Sequence, residues 1–348
     1  MVLRIAHANF ARGYRGGERQ TEILIRELSK RDDVEQTLFT GHSSELAARL
    51  AGTKGLRIAE TSRLGGHLRG GVDVLQAHEA KAAHWAYLEH LAHGEPYVIT
   101  RRVPEKIRES FFNLRVYRNA ACTVGLSSVI CDELRSFPGV REVRRIPSSC
   151  YHLDHDDKAA AAIREKYHGR FLVAQVGALV DRHKGQRVLL EAARILRDRC
   201  PDMLFLFLGS GADESVLLEE SRGLDNVIWL GFQKNVGDYL AAVDVMAYPS
   251  RIEGLGSAIL DAMDFGVPVI AARVGGIPDI IRSGSNGILF ESGDAAALAD
   301  GLERLRNDAA LRESLAGQAR ADLSAFSPEA MAGSYLALYR DICGAGKG

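Results

Sequence analysis

The sequence contains no apolar run approaching the length of a membrane span, so no spanning helix is expected. It also has no excess of either charge. Its 44 Lys and Arg residues against 45 Asp and Glu give a net charge of -1. Nucleic acid is therefore not expected as the main partner, because neutralising phosphates needs a basic field. The five cysteines (Cys122, Cys131, Cys150, Cys200, Cys343) are scattered, with no CxxC or metal-ligand spacing. They read as reduced thiols of a cytosolic protein. There is no low-complexity tract and no short repeat. MVLRIAHANF turns polar too early for a signal peptide and reads as a first strand. One cluster, His152, Asp154, His155 and Asp156, has metal-ligating residue types but no rigid spacing. It reads as a solvated linker in preference to a metal site.

What is present is a rhythm. Short apolar runs (3–8, 35–40, 72–78, 96–101, 121–127, 141–147) alternate with longer amphipathic stretches such as 17–30. The rhythm repeats at 171–177, 203–209, 226–231, 243–249 and 267–272. Buried strands alternating with helices imply parallel sheets covered on both faces. At 348 residues the chain exceeds one ordinary core. The expectation is an α/β protein of two Rossmann-like domains, residues 1–150 and 151–326, with the break in the polar stretch 148–170. A last helix over 327–342, with Ser327 as N-cap and Pro328 at N1, is expected to dock by Met331, Tyr335, Leu338 and Ile342. It is assigned to the first domain.

In such sheets ligands bind beyond the carboxyl ends of strands, where helix N-termini and glycine turns offer bare N–H groups to anions. Three stretches fit. RGYRGGERQ (12–20) has Gly16 and Gly17, where backbone can approach a phosphate. In VGALVDRHKGQRVLL (176–190), Arg182 and Lys184 precede a helix, and cations there oppose the macrodipole unless an anion compensates them. SRIEGLGSAILDAM (250–263) places Glu253 in a glycine turn and Asp261 one turn inside the following helix. Eight residues of continuous helix would separate the two acids by about 12 Å. With Glu253 in the loop, both acids can face one extended ligand, and the amides of Leu255, Gly256 and Ser257 point between them. A fourth stretch, LGSGADE (208–214), has two of the three glycines of a dinucleotide loop, so an oxidoreductase is a minor alternative.

The segment PSRIEGLGSAILDAMDFGVPVIAARVGGIPDIIRSGSNGILFESGD (249–294) resembles the signature of glycosyltransferase family 4. VGALVDRHKG, NVIWLGFQKNVGDYLAAVD and RGGERQTEILIREL resemble the family more loosely. The resemblance implies the GT-B fold, two Rossmann-like domains whose parallel sheets face a central cleft. It also implies transfer of a sugar from a nucleotide donor with retention of configuration. Glu253 matches the acid that holds the donor sugar, and Asp261 stands where the family usually has a Glu for the ribose. Lys184 matches the phosphate-binding lysine. The family's arginine after the strand glycine is replaced by Ala178, and Arg182 is expected to substitute. Gly16 and Gly17 match the loop that closes on the diphosphate, and Phe232 and Lys234 lie in the loop around the base. Arg102, after Arg101, takes the place of a histidine found in many members. It cannot serve as a base near neutral pH. His78 is the remaining candidate to line the site, with a structural role equally open.

The function expected from the resemblance is retaining, metal-independent transfer of a hexose-type sugar, with a UDP-sugar favoured as donor. The fold lets cationic side chains and helix dipoles stabilise the leaving diphosphate, so no cofactor or metal is expected. The acceptor, a saccharide or lipid-linked saccharide of lipopolysaccharide type, is assigned to the side of Arg101 and Arg102. RRVPEKIRESFFNLRVYR (101–118) carries six basic residues among aromatics. It reads either as a helix resting on anionic membrane at the inner face of the cytoplasmic membrane or as a packed helix with a solvated basic face. A UDP-sugar 2-epimerase and a non-catalytic nucleotide-sugar-binding relative are the alternatives. Glu253→Ala is expected to abolish transfer and leave the fold intact.

Overall fold

The computed structural model describes residues 2–62, 65 and 71–345. The chain divides into two compact units, Met1–Ser149 with Phe326–Gly348, and Cys150–Ala325. The first unit is built on β1 (Leu3–Asn9), β2 (Val34–Thr40), β3 (Leu56–Glu60), β4 (Val74–Ala77), β5 (Tyr97–Arg101), β6 (Cys122–Gly125) and β7 (Val143–Arg145). They form one parallel sheet in the order β3-β2-β1-β4-β5-β6-β7. The second unit holds β8 (Phe171–Val176), β9 (Met203–Leu208), β10 (Val227–Gly231), β11 (Val245–Tyr248), β12 (Val269–Ala272) and β13 (Ile288–Phe290). Their order is β10-β9-β8-β11-β12-β13, again all parallel. Strands β3 and β13 were not anticipated from the sequence. Both are edge strands, and β13 has only three residues.

The central strands are apolar because both of their faces are covered. Phe171, Val173, Phe205, Phe207, Val245, Ala247, Ile270 and Ala272 face one layer. Leu172, Ala174, Leu204, Leu206 and Leu208 face the other. The helix Gln186–Arg199 lays Val188, Leu189, Ala192, Ala193 and Leu196 on the first layer, the i, i+1, i+4, i+5, i+8 stripe of a surface helix. Arg197 and Arg199 close its carboxyl end, where cations complement the dipole.

The last helix, Pro328–Ala345, starts as its sequence suggests, with Ser327 Oγ accepting from Ala330 N at 3.1 Å. It is fixed to the first sheet by polar contacts as well as by Met331, Tyr335 and Leu338. Tyr335 OH lies 2.9 Å from Thr100 Oγ1, and Tyr339 OH donates to Gln76 Oε1 at 2.9 Å. The segment 101–118 is not one helix. It is irregular until Ser110, whose Oγ accepts from Asn113 N and caps the short helix Phe111–Asn119.

In the linker, His152 Nδ1 lies 2.9 Å from Asp264 Oδ2, and Asp156 caps the helix Asp157–Lys166. Among the described residues no group of three or more His, Cys, Asp or Glu side chains is arranged to hold a metal. The LGSGADE glycines also have another purpose. A Cβ on Gly209 would fall 1.9 Å from Gly177 O, and one on Gly211 would fall 2.3 Å from Leu179 O. They let two backbone loops pack together, and no dinucleotide is needed to explain them.

Candidate active site

Each sheet reverses its strand order once, between β1 and β4 in the first unit and between β8 and β11 in the second. Such reversals open a crevice beyond the carboxyl ends of the strands. In the second unit the loops after β8 and β11 carry Lys184 and Glu253, 69 residues apart in sequence and 2.6 Å apart in space. Tyr248, the last residue of β11, completes the cluster. Its hydroxyl donates to Glu253 Oε2 at 2.8 Å and accepts from Lys184 Nζ at 3.1 Å. Glu253 Oε1 takes the Gly254 amide at 3.2 Å.

Backbone geometry holds these loops. Arg251 N and Ile252 N both donate to His183 O, at 2.8 and 3.3 Å. Gln175 Nε2 donates to Lys184 O at 2.8 Å. Gly185 (φ +64°) and Gly275 (φ +52°) are left-handed, and a Cβ there would meet Pro249 O at 2.0 Å and Glu253 O at 1.8 Å. Only glycine satisfies both conditions.

The sequence argument for Lys184 needs correction. Arg182 and Lys184 lie within a single helical turn, Asp181–Lys184, that ends at Gly185 before the long helix begins. Lys184 does not sit uncompensated there. The compensating anion for Lys184 is already in the protein, as Glu253. Burial alone would lower the Lys184 ammonium, but Tyr248 and Glu253 outweigh it and raise it. Burial, with Glu253 adding to it, raises the Tyr248 phenol. Lys184 is therefore an ammonium and Tyr248 a neutral phenol at pH 7. Arg182 is exposed, with no hydrogen bond or ion pair among the described residues.

Gly256 (φ +95°) turns the chain into the helix Ser257–Asp264, and no acceptor among the described residues meets the amides of Leu255, Gly256 and Ser257. These are the free N–H groups of a helix start. Asp261 sits one turn inside that helix, as its spacing suggested, and its Oδ1 accepts from Tyr151 N at 3.3 Å. Part of its capacity is thus spent on the protein's own backbone. In the loop after β10, Phe232 is 70% exposed and Lys234 is exposed.

In the first unit, Gly16 and Gly17 open the helix Gly16–Leu28, and Glu18 Oε2 accepts from Arg15 N at 2.9 Å. Arg102, just past β5, lies over Gly17, where a Cβ would come within 3.3 Å of Arg102 Cδ. Arg101 turns away and donates to Glu105 O. His78, for which lining the site and a structural role were equally open, is buried. Its Nε2 lies 3.0 Å from His7 Nδ1, and His7 Nε2 lies 3.0 Å from Gln36 Oε1. Gln36 Nε2 donates to Ile25 O and Ser29 Oγ, so its Oε1 must accept. The tautomers follow. His7 carries its proton on Nε2, His78 carries its proton on Nε2, and His78 Nδ1 is a buried lone pair without a partner. Burial pushes His7 down to about 4 and His78 well below its usual value.

Sequence reasoning missed Tyr248, Gly185, Gly275 and His7. Each left a faint trace: a lone phenol closing an aliphatic strand, two glycines beside polar loops, and a histidine inside a buried strand.

The family model described as glycosyl transferases group 1 matches residues 156–322. The alpha-D-kanosaminyltransferase of Streptomyces kanamyceticus is 32% identical over 261 residues, 71% of this chain and 67% of that protein. The chain belongs to the group 1 glycosyl transferases. Other members match over less: the N-acetyl-alpha-D-glucosaminyl L-malate synthase of Bacillus anthracis is 36% identical over 145 residues, and the match spans only 38% of that protein. Among solved structures, Anabaena Alr3699/HepE in complex with UDP superposes with a TM-score of 0.82 at 20% identity, covering 97% of this chain and 100% of that one. The group 1 chain described here thus has the GT-B fold, with parallel sheets of seven and six strands.

Proposed function

We propose that the chain is a retaining, metal-independent transferase that takes a hexose-type sugar from a nucleotide donor, a UDP-sugar first, and moves it to a saccharide or lipid-linked saccharide of lipopolysaccharide type. The observation that carries this reading is the Lys184–Tyr248–Glu253 cluster beside the unpartnered Leu255–Ser257 amides, at the strand-order reversal of the second sheet. That combination offers a cation and aligned N–H groups to a diphosphate and a carboxylate to sugar hydroxyls.

In the proposed reaction the bond from the anomeric carbon to the diphosphate oxygen breaks, and the acceptor oxygen bonds to that carbon on the same face. The acceptor proton passes to the leaving diphosphate. Lys184 exchanges Glu253 for phosphate oxygens, with Arg182 adding charge from the same turn. Glu253, released, accepts from the sugar. Phe232 and Lys234 meet the base, and Asp261 meets the ribose. His78, neutral and buried, is assigned no proton transfer. The acceptor is assigned to the side of Arg101 and Arg102. Phe111, 73% exposed with Arg115 stacked on its ring at 4.5 Å, supports peripheral contact with anionic membrane.

Thermal melts across UDP-, GDP- and ADP-sugars test the donor, since a ligand of the folded state raises stability by mass action. A UDP-sugar should raise the melting temperature of the wild type and fail to raise that of Lys184→Gln. Equal shifts in both proteins, or none with any nucleotide sugar, would sink the assignment.

A further inference from the structure

Several arginines of the first unit meet carboxylates. Arg4 pairs with Asp73, Arg26 with Glu22, Arg144 with Glu142 and Asp341, and Arg340 with Asp33. Arg102 is half-buried and has neither a hydrogen bond nor an ion pair among the described residues. Its Nε is fully buried without an acceptor. Three polar groups are close enough to act on it, and none pairs with it. Glu18 attracts it from a distance, but its carboxylate accepts from Arg15 N and makes no ion pair with Arg102. Tyr335 is a neutral phenol hydrogen-bonded to Thr100. His78 is neutral, and the nearby guanidinium helps to hold it so.

A desolvated cation with no paired acceptor is a cost that a fold sheds unless an anion arrives. Gly17 beneath it keeps the approach open, since any Cβ there would press on the Arg102 side chain. We propose that Arg102 anchors a site for an oxyanion, a phosphate or carboxylate of a substrate, bound by its planar fork. The site rests on the transferase reading only for which substrate carries the anion. That substrate is an acidic acceptor.

The full chain tests this through Arg102→Met and Arg102→Lys, melted and titrated with inorganic phosphate, alone and with saturating UDP. Without ligand, Arg102→Met should melt at or above the wild type, because an unanswered charge is removed; an arginine with a merely structural role would give a loss. Inorganic phosphate should bind the wild type and lose at least tenfold in affinity for Arg102→Met, with a smaller loss for Arg102→Lys. If UDP affinity is unchanged in Arg102→Met, the anion belongs to the acceptor; a parallel tenfold fall would overturn the acceptor assignment. Phosphate and UDP binding that are both indifferent to Arg102 overturn the site. Arg102-dependent phosphate binding in a protein that binds no nucleotide would leave the site standing and remove the donor reading of the second unit.

Discussion

Beyond β8 and β11 a lysine and a glutamate face each other through a phenol, and the loops that carry them are locked by glycines that tolerate no Cβ. At the ends of β1, β4 and β5, in a sheet whose first six strands follow the same order, two histidines, one of them inside β1, are held neutral and an arginine has no ion pair. The second unit satisfies its buried lysine internally and leaves the exposed Arg182 unpaired, so a ligand that takes Lys184 must exchange with a partner already in place. The first unit leaves a charge open, so a ligand has only to arrive. Exchange demands exact loop geometry, because the cation must be released without collapsing the crevice; an open charge demands only access.

Glycine substitutions strain that contrast most. Gly275→Ala places a Cβ within 1.8 Å of Glu253 O at a left-handed residue. The conformation and the clash together should cost about 4 kcal/mol and abolish nucleotide binding. Gly16→Ala meets nothing within 4 Å at its helix start and should leave the melting temperature near that of the wild type. Calorimetry and UDP titration of both variants check the pair; equal losses would erase the difference between the two sites.

Charge removal comes next. The sequence suggested that Glu253→Ala would leave the fold intact, but the carboxylate is the counter-ion of a mostly buried ammonium. Stranding Lys184 should cost about 3 kcal/mol. Adding Lys184→Met should return most of that stability without restoring activity. A double variant no more stable than Glu253→Ala, measured by denaturant unfolding, would show that the pair is not coupled.

Much of the frame was legible. Alternating apolar runs located eleven of the strands, and the N-cap Ser327 and Pro328 marked the last helix, because both signals are local. β3 was not legible, since an edge strand with one solvated side loses the apolar run that betrays a central one. Glu253 and Lys184 could each be singled out from residue type and turn context. That they neutralise each other, 69 residues apart, is a consequence of the β8–β11 pairing, which no local pattern states. Asp261 illustrates the same limit. Its position on the helix follows from spacing, but its bond to Tyr151 N depends on where the linker runs.

The smallest expected effect separates the units by pH. His7 is wholly buried and its pKa is pushed down to about 4, against about 6.5 in an unfolded chain. Between those values the unfolded state binds more protons than the folded one, so stability rises with pH through this window and is lost as pH falls from about 6.5 toward 4. From pH 7.5 to 5.5 the loss from His7 alone is about 1.4 kcal/mol, and His78, lowered further, adds to it in the same direction. Arg102, Gln36 and Tyr335 keep their charge states across that range, so the histidines set the slope. The first unit should therefore melt earlier on mild acidification. His7→Gln, which keeps an amide between Gln36 and His78 but cannot titrate, should flatten the dependence. Melting curves from pH 7.5 to 5.5 on both proteins decide this; His78 still titrates in His7→Gln, so a residual slope is expected there, and an equal slope would mean that His7 contributes none of the acid sensitivity.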